Sequence, residues 1–304
     1  MLRSLRTSFA SLAVLAACAS AHAEPPHARA QAASAAGSLA ALARGTRTVL
    51  VSDIPTAENV LFLSDGRLLV SGDKGLYHLT RDASGKISAQ NLVPNAPCAF
   101  GGIAEARATV YVTCYDFSRA YIYASSLEPL AFERAVEVKD TIIGNGMSTD
   151  GERLYLSSTG QMKIVQLSID PSDPKKLGGQ TNFISGLDTP LPNGIDILDG
   201  ALYWTDLLTL KTVPLDKKKP ARTLATRATL YDDLHVDARG VIACDYTGNV
   251  LVAYDPTGKQ VAQTKPVFKS PSAVVPARGR LGFGQDDLIV TERGGGIVSV
   301  YRPE

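Results

Sequence analysis

Past residue 45 the chain has no segment with apolar positions at helical spacing. Short runs rich in Val, Ile, Leu, Tyr and Thr alternate instead with Asp-Gly and similar turn residues, the pattern of strands joined by tight turns. The stretch "LPNGIDILDGALYWTD", residues 191–206, is one such unit. Its apolar runs Gly194–Leu198 and Ala201–Trp204 flank an Asp199-Gly200 turn, and Pro192-Asn193-Gly194 stands at the mouth of the first strand. Close relatives are "AENVLFLSDGRLLVSG" from Ala57, "GNGMSTDGERLYLSS" from Gly144 and "YDDLHVDARGVIACD" from Tyr231. Weaker copies are "FGGIAEARATVYVTC" from Phe100 and "PSAVVPARGRLGFGQDDLIVTE" from Pro271.

The residues at the six mouths are 58, 102, 145, 193, 232 and 272, at intervals of 44, 43, 48, 39 and 40. Units of about 40–50 residues, each long enough for four strands, predict a six-bladed β-propeller. After the sixth opening strand only 287–292 and 296–303 remain, so the last blade is one strand short. The strand-like run 46–53 has no partner of its own; donated to the last blade, it removes two exposed edges and closes the ring. Residues 46–304 are therefore expected to form one all-β domain, and a chain of 304 residues can bury its core. The stretch 24–45 is Ala-rich and Pro-led, a linker or weak helix.

Composition adds a compartment. Arg3 and Arg6, the apolar run Phe9–Ala17 and an Ala21-His22-Ala23 cut before Glu24 form an export signal over residues 1–23, too short to span a membrane. A second reading takes Leu15–Cys18 as a bacterial lipoprotein signal, with Cys18 lipid-anchored. Both place the protein in the periplasm, at the envelope or outside the cell. Cleavage after Ala23 leaves 29 basic against 30 acidic residues, a net charge of −1, which gives no support for nucleic-acid binding. The run Lys217–Lys219 reads as a solvated hairpin tip, and the single "YWTD" places Trp204 in strand packing.

The mouth residues are Glu58, Gly102, Asn145, Asn193, Asp232 and Ser272, and four of them carry an acid or amide oxygen. Each of the four lies five to seven residues before its turn, so pseudo-symmetry brings them to one rim of the channel. Two readings compete. Asn-Gly is a common turn dipeptide and a lone acid at a strand end is ordinarily solvated. Converging buried oxygens, however, include two carboxylates that repel each other unless a cation joins them. Calcium takes six to eight such oxygens. Zinc fits less well, because His27, His78 and His235 do not group with a cysteine.

The order Glu, Asn, Asn, Asp at these mouths resembles the calcium-dependent gluconolactonase–regucalcin family of six-bladed propellers, related to the paraoxonases. "AENVLFLSDGRLLVS" is similar to its first-blade motif, "PNGIDILDGALYWTD" to its PNG blade, "DDLHVDARGVIAC" to its Asp blade and "GNGMSTDGERLYLSS" to its other Asn blade. The resemblance implies Glu58, Asn145, Asn193 and Asp232 as ligands of a divalent cation, calcium first. Asn59 and Asp233 resemble paired positions in paraoxonases and are expected either to support the ligands or to face solvent as turn residues. Two features depart from the pattern. Ile143 stands where gluconolactonases have an Arg that grips sugar lactones, and "CAFGGIAEA" lacks the paraoxonase histidines.

The expected activity is hydrolysis of a small-molecule lactone or other ester. The cation would polarise the carbonyl and Asp232 would serve as catalytic base. The competing expectations are a non-catalytic envelope propeller that binds a ligand or protein around a structural metal, and a metal-free propeller of the strictosidine-synthase type. Finally, Cys98 and Cys114 are equidistant from residue 106, inside the second-blade turn, so they are expected to face each other and form a disulfide with Cys244 left free.

Overall fold

Six antiparallel sheets of four strands each stand around a central channel. The structure, a computed structural model, describes residues 39–304. The expected export signal, the candidate lipid anchor at Cys18, His27 and most of the Ala-rich stretch lie outside the described residues. The innermost strands of blades 1 to 6 are Val60–Phe62, Ala99–Ala106, Gly144–Thr149, Pro192–Leu198, Tyr231–Asp237 and Pro271–Pro276. They pack on one another in cyclic order, the last against the first. In each of blades 1 to 5 the chain runs from the innermost strand outwards.

Blade 6 is completed by the N-terminal strand Thr46–Val51, which pairs antiparallel with Ile297–Arg302. Arg47 of the closing strand donates to the buried Glu292 at 2.7 and 2.8 Å, tying the two ends of the chain together. The Ala-rich stretch is not wholly a free linker. Its last helical turn, Ala41–Arg44, buries Leu42, together with Leu39, against Leu288 and Tyr301, and the Tyr301 hydroxyl donates to the Leu42 carbonyl. Among the described residues no helix is long and apolar enough to cross a membrane.

Each junction between blades holds one apolar cluster, six in all. A blade's middle strands are covered on both faces, so they read as continuous apolar runs rather than alternating ones. Thr109–Tyr115 is buried at every position, and Trp204 is fully enclosed between blades 3 and 4. This architecture gives the molecule two ends. Every innermost strand starts at one end, the mouth face, which also carries the loops between second and third strands and those leading into the next blade.

Cys98 and Cys114 are joined as a disulfide with Cα atoms 5.5 Å apart, and Cys244 is free and buried. The register differs from the one expected. The turn is at Arg107-Ala108, both with positive φ, so Ala106 pairs with Thr109 and Cys114 faces Phe100. A bulge between Phe100 and Ile103 and the approach of Cys98 just outside the strand close the pair diagonally. Non-reducing peptide mapping should yield a Cys98–Cys114 linked peptide, whereas alkylation at both cysteines would refute the link. Closing a loop of this length contributes about 3 kcal/mol in the chain-entropy model, so a Cys98→Ser variant should melt clearly below the oxidised protein.

Candidate functional site

The register of the innermost strand slips at the mouth of blades 2 to 6. The irregularities fall between Phe100 and Ile103, Gly144 and Met147, Pro192 and Ile195, Tyr231 and Leu234, and Pro271 and Ala273. A bulge puts one extra residue into the strand and re-aims its side chain. The slips bracket Asn145, Asn193 and Asp232, so the Asn193-Gly194 pair is part of a bulge within a strand and not a turn.

A belt of hydroxyls holds these bulges in place. The Gly146 N–H donates to Ser157 Oγ at 2.8 Å, and Ser157 Oγ donates to the Asn193 carbonyl of the next blade at 2.5 Å. Thr205 repeats the arrangement, accepting from Gly194 N–H at 3.0 Å and donating to the Asp232 carbonyl. Thr291 accepts from Ala273 N–H at 2.9 Å and reaches across the closure to the Glu58 carbonyl at 2.7 Å. Thr113 donates to the Gly144 carbonyl at 2.7 Å, and Ser71 accepts from Asn59 N–H at 3.0 Å. Cys244 occupies the equivalent position in blade 5, after the Leu234–Ala243 pair. The backbone of each candidate ligand is thus fixed by a side chain of the blade before it or of its own.

Glu58, Asn145 and Asp232 are buried, and the side-chain Oδ1 of Asn193 is buried with no hydrogen-bond partner among the described residues. Burial pushes the Glu58 carboxyl up to about 7; Arg293 opposes the rise and Asp73 adds to it. Burial likewise holds Asp232 well above the usual carboxylate range, reinforced by the charges of Glu58 and Asp233 and opposed by Arg293 and the Asn193 amide. Two carboxylates and two amides, one with an orphaned oxygen, are a hard-oxygen donor set of the kind that suits calcium. Among the described residues no group of three or more His, Cys, Asp or Glu is arranged to hold a metal ion, and the ring itself supplies two carboxylates with amides beside them.

Asn59 and Asp233 do not face solvent as turn residues. They line a cavity of about 550 Å³ on the far side of the ring, where the channel opens between the turns that follow the innermost strands. Asp233 accepts the Leu234 N–H at 2.8 Å, and burial holds its carboxyl well above the usual range. His235 also lines this cavity, its Nδ1 3.4 Å from Asp196 Oδ2.

One residue was not visible in the sequence. Arg293, in the turn after the second strand of blade 6, donates from Nη1 to Glu58 Oε2 at 2.9 Å. The pair is 235 residues apart in the chain and meets only because the ring closes. Arg293 meets one oxygen of Glu58 and gives the ring an internal positive charge, while Asp232, Asn145 and Asn193 keep theirs.

A pH dependence follows from these shifts. The folded state binds a proton on Glu58 up to about pH 7, against 4.5 for an ordinary glutamate. The stabilisation is complete below 4.5 and lost as pH rises through 7. Asp232 acts in the same direction. Chelator-treated protein should therefore melt higher at pH 5 than at pH 8, with a smaller difference in Glu58→Gln. A melting temperature that rises over this range would contradict the assigned shifts.

No family model and no curated protein matches the sequence. The fold has many solved counterparts. A gluconolactonase from Xanthomonas campestris is similar with a TM-score of 0.66 and 13% identity, over 86% of this chain and 91% of that one. A calcium-binding protein, regucalcin, from Agrobacterium tumefaciens gives 0.63 and 16%, over 84% and 93%. A streptogramin B lyase gives 0.62 and 10%, over 86% and 98%. Identities this low establish a likeness of fold alone, and a shared propeller hosts different chemistries.

Proposed function

We propose that the protein is an exported hydrolase of a lactone or other ester whose site is the ring of oxygens at the mouth of the channel. The observation that carries this reading is the placement of Asn145, Asn193 and Asp232 in the bulges of three successive blades, with Glu58 buried at the matching mouth of blade 1 and the buried Asn193 Oδ1 unpaired among the described residues. The similarity in fold to a gluconolactonase and to a calcium-binding regucalcin supports it. These four residues would hold a divalent cation, calcium by donor chemistry. When bound, the cation supplies polarisation of the ester carbonyl and charge stabilisation of the developing oxyanion.

The protein's own groups do the rest. Asp232 takes a proton from the attacking water at a carboxylate oxygen. The water oxygen bonds the carbonyl carbon, the ester C–O bond breaks, and the departing oxygen takes the proton. The hydroxyl belt keeps the bulges, and so the oxygens, in position throughout.

Turnover of a panel of lactones and esters, with calcium and with chelator, tests the reading. Calcium-dependent hydrolysis is expected, with apolar lactones preferred over sugar lactones because Ile143 offers no polar grip. Calcium should also raise the melting temperature by mass action, and Asn193→Ala should blunt the rise. A second reading, a non-catalytic ligand-binding propeller, is favoured by the Arg293–Glu58 pair, which supplies countercharge without a metal. Absence of turnover across the panel, together with melting indifferent to calcium and chelator, would decide for that one.

A further inference from the structure

The backbone at Arg293 is held firmly, and its guanidinium is used sparingly. Its backbone N–H bonds Ser270 O at 3.0 Å, the following Gly294 N–H bonds Lys269 O at 3.1 Å, and the preceding Glu292 is fixed by Arg47. Glu58 takes one hydrogen bond from Nη1. Nε and Nη2 have no partner among the described residues, and the side chain is 33% exposed at the mouth. A planar guanidinium with one edge free is suited to bidentate pairing with a carboxylate.

The charges of Glu58, Asp232 and Asp73 act on Arg293, with Tyr115 beside them, and the same face carries exposed apolar side chains. The charges of Arg293 and Glu58 both act on Tyr115, which is nearly fully buried. Phe117 packs edge-on against Tyr115, ring centroids 5.4 Å apart, and is itself 67% exposed. Phe117 is not alone. Ile142, Leu187, Leu191, Leu208 and Leu230 are also exposed, and all lie in loops of the mouth face. Exposed apolar side chains concentrated at one end of a soluble fold mark a surface that meets an apolar ligand.

We propose that Arg293 is the carboxylate-binding group of the mouth, and that its ligands are amphiphiles with one carboxylate head and an apolar chain lying towards Phe117. The inference rests on reading the mouth as a ligand site. It extends that reading, because hydrolysis of an apolar lactone yields a hydroxy acid of this class. Arg293 then distinguishes the carboxylate product from an uncharged ligand.

The test is calorimetric titration of the full chain with octanoate, octan-1-ol and gluconate, in calcium and in chelator. Octanoate should bind at least about tenfold tighter than the alcohol, which lacks the charge, and than gluconate, which lacks the apolar chain. Arg293→Gln should bring octanoate to the level of octan-1-ol, Arg293→Lys should retain part of the preference, and Phe117→Ala should weaken octanoate and octan-1-ol alike while leaving gluconate unchanged. Equal binding of octanoate and octan-1-ol by the unaltered protein overturns the proposal even if Arg293→Gln fails to fold. Gluconate binding as tightly as octanoate overturns the apolar half. Octanoate bound through Arg293 without any ester turnover leaves the inference standing and sinks hydrolysis. Calcium-dependent turnover without a preference for octanoate sinks the inference alone.

Discussion

Gly194→Ala is expected to lower the melting temperature by about 6–12 °C. A Cβ at this position would fall on the Oδ1 and Cα of Asp233 in the next blade, inside any real contact distance. Backbone, unlike the end of a long side chain, cannot step aside without moving the blade. Overpacking of this kind costs about 3 kcal/mol, and each kcal/mol shifts the transition of a domain this size by ~2–4 °C. Gly146 faces the same constraint against the Asn193 carbonyl at 2.5 Å. Gly178 is the control: it lies in the outermost strand of blade 3 with nothing within 4 Å, and Gly178→Ala should melt with the parent protein. Equal melting of Gly194→Ala and the parent would show that the blades are spaced more widely than described.

That packing explains why Asn and Gly stand together at the mouth of blades 3 and 4. Asn supplies an oxygen to the channel, and Gly admits the neighbouring blade. The number of blades and the closing strand were legible because they depend on chain spacing and apolar runs, which pseudo-symmetry repeats. The mouth position of blade 2 was misplaced by one, Gly101 and not Gly102 standing where the other blades have Asn145 and Asn193. The bulges were not, since a register slip leaves no mark on the period-two pattern beside it. The disulfide shows the consequence. Its partners were readable, but the symmetric register around residue 106 was displaced by the Phe100–Ile103 bulge and a turn at 107–108. The belt hydroxyls Thr113, Ser157, Thr205 and Thr291 read as ordinary strand residues, and only their repeated position beside the register slip of the innermost strand gives them away. Arg293 was illegible for another reason. Its partner lies at the opposite end of the chain, and no local pattern connects "TERGGG" to "AENV".

Asp232→Asn is expected to reduce ester turnover by about 10²–10⁴-fold, the usual worth of a general base, while calcium still raises the melting temperature. The amide is nearly the same size and keeps one oxygen for the cation, so the ring should assemble; it cannot take a proton from water. The choice of Asp232 over its neighbours is geometric. Asp233 and His235, one and three residues on, line the cavity beyond the ring, and the His235 Nδ1 is turned to Asp196. Glu58 has one oxygen engaged by Arg293. Asp232 is the carboxyl of the ring that is not paired with a guanidinium, and it is buried beside the Asn193 amide. His235→Gln should accordingly keep most of the turnover, and Glu58→Gln should lose calcium stabilisation together with activity. Near-parental hydrolysis by calcium-loaded Asp232→Asn would remove Asp232 as the base, and a loss of turnover in His235→Gln as deep as in Asp232→Asn would move the proton transfer to the far side of the ring.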